Sequence, residues 1–487
     1  MIKYHIKTFG CAMNHSDSER IATFLESRGF MLSEKIDDAN LIVINTCGVR
    51  QAAENRVYSL VNNLTKNNIQ KSKAKNLKPK TLHLAPRIVI TGCISHRKDV
   101  QKRLKNKIDL FFSINNFHEF ENWTFENCLE IRNSKLEIPI QNNIPDKENI
   151  AYFSINPKHT NSFEAFVPIM TGCDNFCSYC VVPYARGREV SRPADEIVTE
   201  VRDLVSKGYK MITLLGQNVN SYKSQVHKVY KVRNVHKERI EEINFTKLLK
   251  KINTIPGKFW VTFVSSHPKD MSDELIETIA KCKKICEWVH LPVQAGNDEI
   301  LKRMNRKYTQ AHYLKLIKKI RNAFAKIRGP LVPIGVSTDI IVGFPGETRI
   351  QFADSAKVME EAKYDMVYFG QFSPRPGTAA WDMKDNVSKK EKERREKVLN
   401  EILKKTALAN NRKYVGKVIE VLVEKHVITK AGLLGSQSPA LRSHAYFGKT
   451  RTMKNIKILS QKKILVGSFV KVAVTKANVW NLEGTAI

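Results

Sequence analysis

The 487-residue chain contains no apolar run of 18 or more residues, which argues against a membrane-spanning helix. Its opening, Met-Ile-Lys-Tyr-His-Ile-Lys, reads as a strand and lacks the apolar stretch of a secretory leader. Cysteine is sparse, with nine residues, an odd number. That argues against a disulfide framework and for metal ligation in a reducing, cytoplasmic setting. Acidic residues are also scarce, 48 against 81 Lys and Arg, and the net charge is +33. Such a surplus favours a polyanionic partner such as nucleic acid. A generally Lys-rich composition, with lysines in loops such as Lys66 to Lys80, accounts for the same number.

Three of the few cysteines stand together. Cys173, Cys177 and Cys180 fall within eight residues, in Thr-Gly-Cys-Asp-Asn-Phe-Cys-Ser-Tyr-Cys. Thiolates are soft ligands that suit zinc and iron–sulfur clusters. A structural zinc site needs four closing ligands, and no fourth Cys or His follows at zinc-finger spacing. Three thiolates on one loop suit a cubane cluster with one iron open to a substrate or cofactor.

The first 120 residues repeat one theme. Tyr4 to Phe9 is a strand ending at Gly10-Cys11, Leu41 to Asn45 one ending at Thr46-Cys47-Gly48, and Arg87 to Ile90 one ending at Thr91-Gly92-Cys93. Amphipathic helices follow the first two. Ser16 and Glu19 form a capping-box pattern opening Arg20 to Arg28, and the second helix spans Gln51 to Leu64. Alternation of this kind predicts a parallel sheet, with ligands gathered beyond the strands' carboxyl ends. Cys11, Cys47 and Cys93 all sit there, which makes a second three-thiolate site.

Residues 126–158 are polar and read as a linker between a domain at 1–125 and one at 159–408. In the latter, six strands are expected: Phe166 to Met170, Met211 to Leu215, Phe259 to Val264, Glu287 to Val293, Pro333 to Phe344 and Met366 to Phe372. Helices such as Asp195 to Lys207 and Asp273 to Lys281 lie between them, giving an α/β partial barrel. The polar stretch 223–243 reads as a loop insertion. After a charged helix, Ser388 to Asn411, the texture changes to short strands: Lys417 to Lys425, Lys457 to Leu459 and Phe469 to Val474. Residues 412–487 carry 14 Lys and Arg against three Glu, so 409–487 reads as a small basic all-β barrel that binds RNA. Cys282 and Cys286, one helical turn apart, and Cys128 in the linker read as structural.

These blocks resemble the radical-SAM methylthiotransferases over nearly the whole chain, most closely the branch acting on isopentenylated adenosine in tRNA. The resemblance rests on Phe9-Gly-Cys11-Ala-Met-Asn14 with Asp17-Ser18-Glu19, Asn45-Thr-Cys47 with Val49-Arg50, and Gly92-Cys93. It continues through Gly172 to Pro193, Ser265-Ser-His-Pro268, His290 to Gly296, Thr338 to Glu347 and Ser373-Pro-Arg-Pro-Gly-Thr378. The C-terminal region resembles the family's TRAM domain, with Gly448-Lys-Thr-Arg451 as its basic turn.

The resemblance implies two [4Fe–4S] clusters. One, on Cys173, Cys177 and Cys180, would bind S-adenosylmethionine and yield a 5′-deoxyadenosyl radical. The auxiliary one, on Cys11, Cys47 and Cys93, would carry the sulfur to be inserted at carbon 2 of adenosine 37. A second S-adenosylmethionine would supply the methyl group, the cofactors carrying the hard chemistry. The cofactor pocket would draw on Tyr179 beside the cluster loop and on the strand ends Gly216-Gln217-Asn218, Ser265, Gln294 and Gly343 to Glu347, with Gly216 admitting the methionine amine. Arg186, Arg188, Arg192 and Arg375, with Lys449 and Arg451 of the tail, are candidate RNA contacts. The expected partners are tRNA and a reductant of flavodoxin or ferredoxin type, with the chain a monomer. Threonylcarbamoyladenosine in tRNA, or an aspartate of ribosomal protein S12, is the alternative substrate within this chemistry. An iron–sulfur RNA-binding regulator is the alternative outside it.

Overall fold

The computed structural model describes residues 2–49, 51–74, 86–128, 152–232, 235–427 and 444–487. The chain forms two compact units. The first is Met1–Thr160 with Thr171–Val190 and Arg375–Trp381, and the second is Asn161–Met170 with Ser191–Pro374 and Asp382–Ile487. They are discontinuous in sequence where the expected domains are continuous. The loop of Cys173, Cys177 and Cys180 folds with the N-terminal residues.

The first unit holds β1 (Lys3–Phe9), α1 (Ala12–Ser27), β2 (Met31–Leu32), β3 (Leu41–Thr46), α2 (Gln51–Ala74), β4 (Arg87–Gly92), α3 (Lys98–Arg103), β5 (Leu110–Phe111) and α4 (Phe117–Cys128), then a short α5 (Val182–Arg186). Its sheet has the order β2-β1-β3-β4-β5, with every pair parallel. β3 is central and buried throughout, so it is apolar on both faces. Leu41 and Val43 face a core with Phe24, Phe117 and Phe120, whereas Ile42 and Ile44 face one with Val57, Val61 and Val100. The period of two divides the strand between two helical layers.

Two local expectations are corrected. The first helix starts at Ala12 with Cys11 as its N-cap, not at Ser16. Ser16 and Glu19 lie inside it, and Glu19 instead takes the Thr160 N–H (2.9 Å) and pairs with His159 (2.9 Å). The second helix extends to Ala74, well beyond Leu64. Of the expected linker, residues 126–128 finish α4, and Lys158 donates its N–H to Thr23 (2.8 Å). Residues 129–151 lie outside those described.

The second unit contains β6 (Glu164–Pro168), α6 (Ala194–Ser206), β7 (Met211–Leu215), β8 (Lys223–Val232), β9 (Val235–Asn244), α7 (Phe245–Asn253), β10 (Trp260–Phe263), α8 (Asp273–Lys281), β11 (Trp288–His290), α9 (Asp298–Arg303), α10 (Gln310–Arg328), β12 (Gly335–Val342), α11 (Arg349–Ala362), β13 (Met366–Gln371) and α12 (Lys389–Arg412). β6, β7 and β10 form one parallel sheet and β11, β12 and β13 another. A single parallel bridge, Val261 to Ile285, joins them into an open six-stranded arc with helices between the strands. This is the expected partial barrel. Apart from residues 233–234, which lie outside those described, the polar stretch 223–243 is strand and not a loop. β8 and β9 pair antiparallel over ten residues each, because β-branched residues recur among its charges.

The unit ends in β14 (Val418–Val427), β15 (His444–Thr450), β16 (Asn455–Ser460), β17 (Phe469–Ala477) and β18 (Asn481–Ala486). They close a barrel in the order β14-β15-β16-β18-β17 around Val421, Tyr446, Ile458, Val472 and Leu482. β15 and β18 were not anticipated. Leu422 and Phe469 of this barrel pack on Met211 and Trp260, the first residues of β7 and β10. The small barrel thus sits at the amino ends of the half-barrel strands. No helix among the described residues is long and apolar enough to cross a membrane.

Candidate active site

The first unit holds all six cysteines of the two triads. Neighbouring strands place Cys11, Cys47 and Cys93 at one sheet end. The Cys47 N–H donates to the Phe9 carbonyl (2.7 Å) and the Cys93 N–H to the Thr46 carbonyl (2.8 Å). Cys11 is exposed, whereas Cys47 and Cys93 are buried. The polar residues of the first two sequence blocks build this end. Asn14 Oδ1 accepts the Cys11 N–H (3.2 Å) and its side-chain amide donates to Asn45 Oδ1 (2.9 Å), while the Asn45 side-chain amide returns a bond to the Asn14 backbone oxygen (2.8 Å). Gly92 has φ +88°, and a Cβ there would run into the Thr46 carbonyl, so only glycine fits between the second and third cysteines.

The loop carrying Cys173, Cys177 and Cys180 is tightly turned. Phe176 has φ +45°, and the Cys180 N–H bonds the Cys177 carbonyl (2.9 Å). Burial pushes the Cys180 thiol well above its ordinary pKa. Its neighbours Cys177 and Cys173, and Cys93 of the other triad, push the same way. The Cys173 thiol is raised too, by burial first. Thiols crowded out of their charged form are what a soft metal centre stabilises as thiolates, with release of their protons. Among the described residues no three such groups close on a single metal ion. A cubane takes each thiolate on a different iron, so its ligands stand further apart than those of one ion. The donor set fits iron–sulfur clusters on these grounds.

In the second unit, the cofactor candidates stand where the parallel strands end. Gln217 and Asn218 follow β7, Ser265 follows β10, Gln294 follows β11 and Gly343 follows β12. Ser265 and Gln294 have φ +69° and +68°, a conformation non-glycine residues rarely adopt and one that clusters at functional sites. Gln217 Oε1, Asn218 Oδ1 and Ser266 Oγ are buried without a hydrogen-bond partner among the described residues. Orphaned polar atoms at strand ends fit a polar ligand such as S-adenosylmethionine. The loops that carry them are locked. Asn220 and His267 exchange two bonds (2.9 and 2.8 Å), and Asn218 donates to Asp270 (2.8 Å).

Several expected contacts have other partners. Glu347 is buried, accepts the Gly343 N–H (2.8 Å) and pairs with Arg395 (2.6 Å), so it braces its turn. At Gly216 a Cβ would meet the Met170 side chain at 2.5 Å, so packing explains this glycine. Arg186 is buried against Asp17, Arg192 pairs with Glu200 (2.6 Å), and Arg375 is buried against Glu54 (3.1 Å). Arg451 bonds Glu287 (2.7 Å) and the Ile285 carbonyl (2.8 Å), and Gly448 to Thr450 form the end of β15 rather than a turn. A side chain enclosed by carboxylates offers little to a phosphate. Arg188 remains exposed, over the Phe176 ring (5.1 Å), and Lys449 is half-buried. Tyr179 is half-buried beside Cys180. The Asn14–Asn45 pair, the Asn220–His267 lock and the Glu54 cluster had no sequence signal beyond lying in or near the shared blocks. Cys128 is buried at the end of α4. Cys282 caps α8 and Cys286 precedes β11, so the latter two do not share a helix.

Comparison with known proteins bears on this arrangement. Residues 167–359 match the radical SAM superfamily and residues 3–113 an uncharacterized protein family, UPF0004. A Thermoanaerobacter pseudethanolicus protein named tRNA-2-methylthio-N(6)-dimethylallyladenosine synthase is 38% identical, covering 99% of this chain and 92% of its own. A Clostridium botulinum protein of the same name is 38% identical, covering 100% and 97%. Among solved structures, a radical S-adenosylmethionine methyltransferase, TsrM, from Kitasatospora setae is 14% identical, with a TM-score of 0.48 over 78% of this chain and 75% of its own.

Proposed function

The chain belongs to the tRNA-2-methylthio-N(6)-dimethylallyladenosine synthases of the radical SAM superfamily, and from that premise we propose that it inserts a methylthio group at carbon 2 of N(6)-isopentenyladenosine 37 in tRNA. Superfamily membership implies S-adenosylmethionine and one [4Fe–4S] cluster. We assign that cluster to Cys173, Cys177 and Cys180, and a second, auxiliary cluster to Cys11, Cys47 and Cys93. When bound, these groups supply the radical and the sulfur.

The chain's own residues hold and orient. The observation that carries the reading is that both triads lie in one compact unit, with Cys93 in electrostatic reach of Cys180. Two donor sets that must serve one carbon have to be neighbours. Gln217, Asn218, Ser265, Gln294 and the Gly343 turn are the proposed cofactor contacts, and Tyr179 the proposed partner of its adenine. The left-handed residues and orphaned polar atoms at these strand ends favour an enzyme over a non-catalytic RNA-binding regulator. The basic C-terminal barrel is the proposed tRNA grip, with Lys449 on it, and Arg188 a further contact. A flavodoxin- or ferredoxin-type protein is the proposed electron donor to a monomeric enzyme.

The test separates the triads. Cys11→Ala should abolish methylthiolation and spare cleavage of S-adenosylmethionine to 5′-deoxyadenosine, whereas Cys177→Ala should abolish both. Equal loss of cleavage in the two variants contradicts the division of labour.

A further inference from the structure

Arg375 lies in the Ser-Pro-Arg-Pro-Gly-Thr run and folds into the first unit, with its side chain 6% exposed. One guanidinium nitrogen donates to the Val49 carbonyl (2.9 Å). The other donates to Gln51 Oε1 (2.7 Å) and Glu54 Oε2 (3.1 Å). Val49 in turn directs its own N–H at the Cys47 sulfur (3.3 Å). The guanidinium therefore grips the residue that delivers a hydrogen bond to a proposed cluster ligand. The rigid, five-donor fork of a guanidinium fixes a carbonyl, an amide oxygen and a carboxylate in one plane.

Further charges surround it. Glu54 also accepts from Arg97 (2.8 Å) and Tyr58 (2.7 Å), and Arg97 is bonded by Asp99 as well. Two guanidinium groups meet two carboxylates in these bonds, and a third, Arg103, lies over the Tyr58 ring (3.8 Å). Removing Arg375 would take one positive charge from beside Glu54 and Cys47.

We propose that Arg375 is a positioning residue for the auxiliary site: it holds the Val49 N–H on the Cys47 sulfur and neutralises Glu54, and thereby sets the reduction potential of the cluster that Cys11, Cys47 and Cys93 would hold. Hydrogen bonds to sulfur and net charge near the cluster are the levers a protein has over that potential. The inference rests on the two-cluster reading above.

The experiment uses the full chain carrying Cys173→Ala, Cys177→Ala and Cys180→Ala, reconstituted with iron and sulfide, so that only the auxiliary cluster reports. Iron and sulfide analysis comes first; a chain that binds none defeats the two-cluster reading itself. Midpoint potential is then followed by electron paramagnetic resonance. Arg375→Gln should lower it, since lost positive charge and a loosened N–H···S bond both disfavour reduction. Arg375→Lys should recover only part, restoring charge without the fork. Gln51→Ala, on the exposed first turn of α2, should shift it less and in the same direction. Should Arg375→Gln fail to fold, the lysine and Gln51 variants decide. A fully loaded cluster with unchanged potential in the variants that fold overturns the proposal.

Discussion

His267 stands in the Ser265-Ser-His-Pro268 block, where its ring accepts the Lys269 N–H (3.2 Å). Burial, with help from the Arg306 and Lys269 charges, drives its pKa down to about 2. Unfolded, the same imidazole titrates near 6.5. Between those values the unfolded state binds the extra proton, so stability is lost as pH falls below about 6.5, by up to about 1.4 kcal/mol per pH unit. Denaturant unfolding at pH 7 and pH 5 should show the unsubstituted chain losing about 2 kcal/mol more than His267→Gln over that interval. Equal losses would contradict a neutral, buried His267. The remaining cysteines behave similarly at this scale. Burial lifts the thiols of Cys128 to about 11 and Cys286 to about 12, as it lifts those of Cys173 and Cys180, but the charges acting on Cys128 and Cys286 are Arg, Asp and Glu side chains and not other thiols.

At the scale of elements, one buried amide pair ties α1 to β3 where they present Cys11 and Cys47. Asn45 bonds the Asn14 amide, the Asn14 carbonyl and Ser18 (3.0 Å) at once. Asn45→Ala strands those groups and should cost about 1–3 kcal/mol. Thermal unfolding should show the loss, and iron per chain should fall at the auxiliary site first. An unaltered melting temperature would mean that the pair is not structural.

The strands themselves were legible because buried β3 and β7 are apolar on both faces, and the cysteines because a thiol at the end of each of three neighbouring strands is a pattern no core needs. Other features were hidden for identifiable reasons. Ser16-x-x-Glu19 looks like a cap, but Cys11 and Asn14 provide the cap five residues earlier, and Glu19 is committed to His159 and Thr160, some 140 residues away. Residues 223–243 look like a loop because hydrophobic spacing is diluted by charge, although register is carried by the ladder. Arg186, Arg375 and Arg451 look like phosphate contacts because their carboxylate partners, Asp17, Glu54 and Glu287, are remote in sequence.

At the scale of the molecule, Glu287 ties the C-terminal barrel to the half-barrel. It takes Arg328 from α10 (2.6 Å) and Arg451 from the barrel turn (2.7 Å), and is itself 8% exposed. Glu287→Ala would leave two largely buried guanidinium groups without their anion, a change that typically costs about 3–5 kcal/mol. Urea unfolding should show a loss of that order, and Arg451→Ala a smaller one; a loss below about 1 kcal/mol would contradict a structural tie. The tie, with the Trp260 and Phe469 rings packed at 4.7 Å, seats the basic barrel at the amino ends of the strands. The candidate cofactor residues occupy the opposite, carboxyl ends. The proposed RNA grip and the candidate cofactor residues thus lie at opposite ends of the second unit.

The reaction itself leaves a distinctive product. Nucleoside mass spectrometry of tRNA, from a host lacking its own enzyme and expressing this chain, measures it directly. Appearance of 2-methylthio-N(6)-isopentenyladenosine, with loss of the unthiolated nucleoside, is the predicted result. Unchanged N(6)-isopentenyladenosine in the presence of cluster-loaded protein would contradict the assignment.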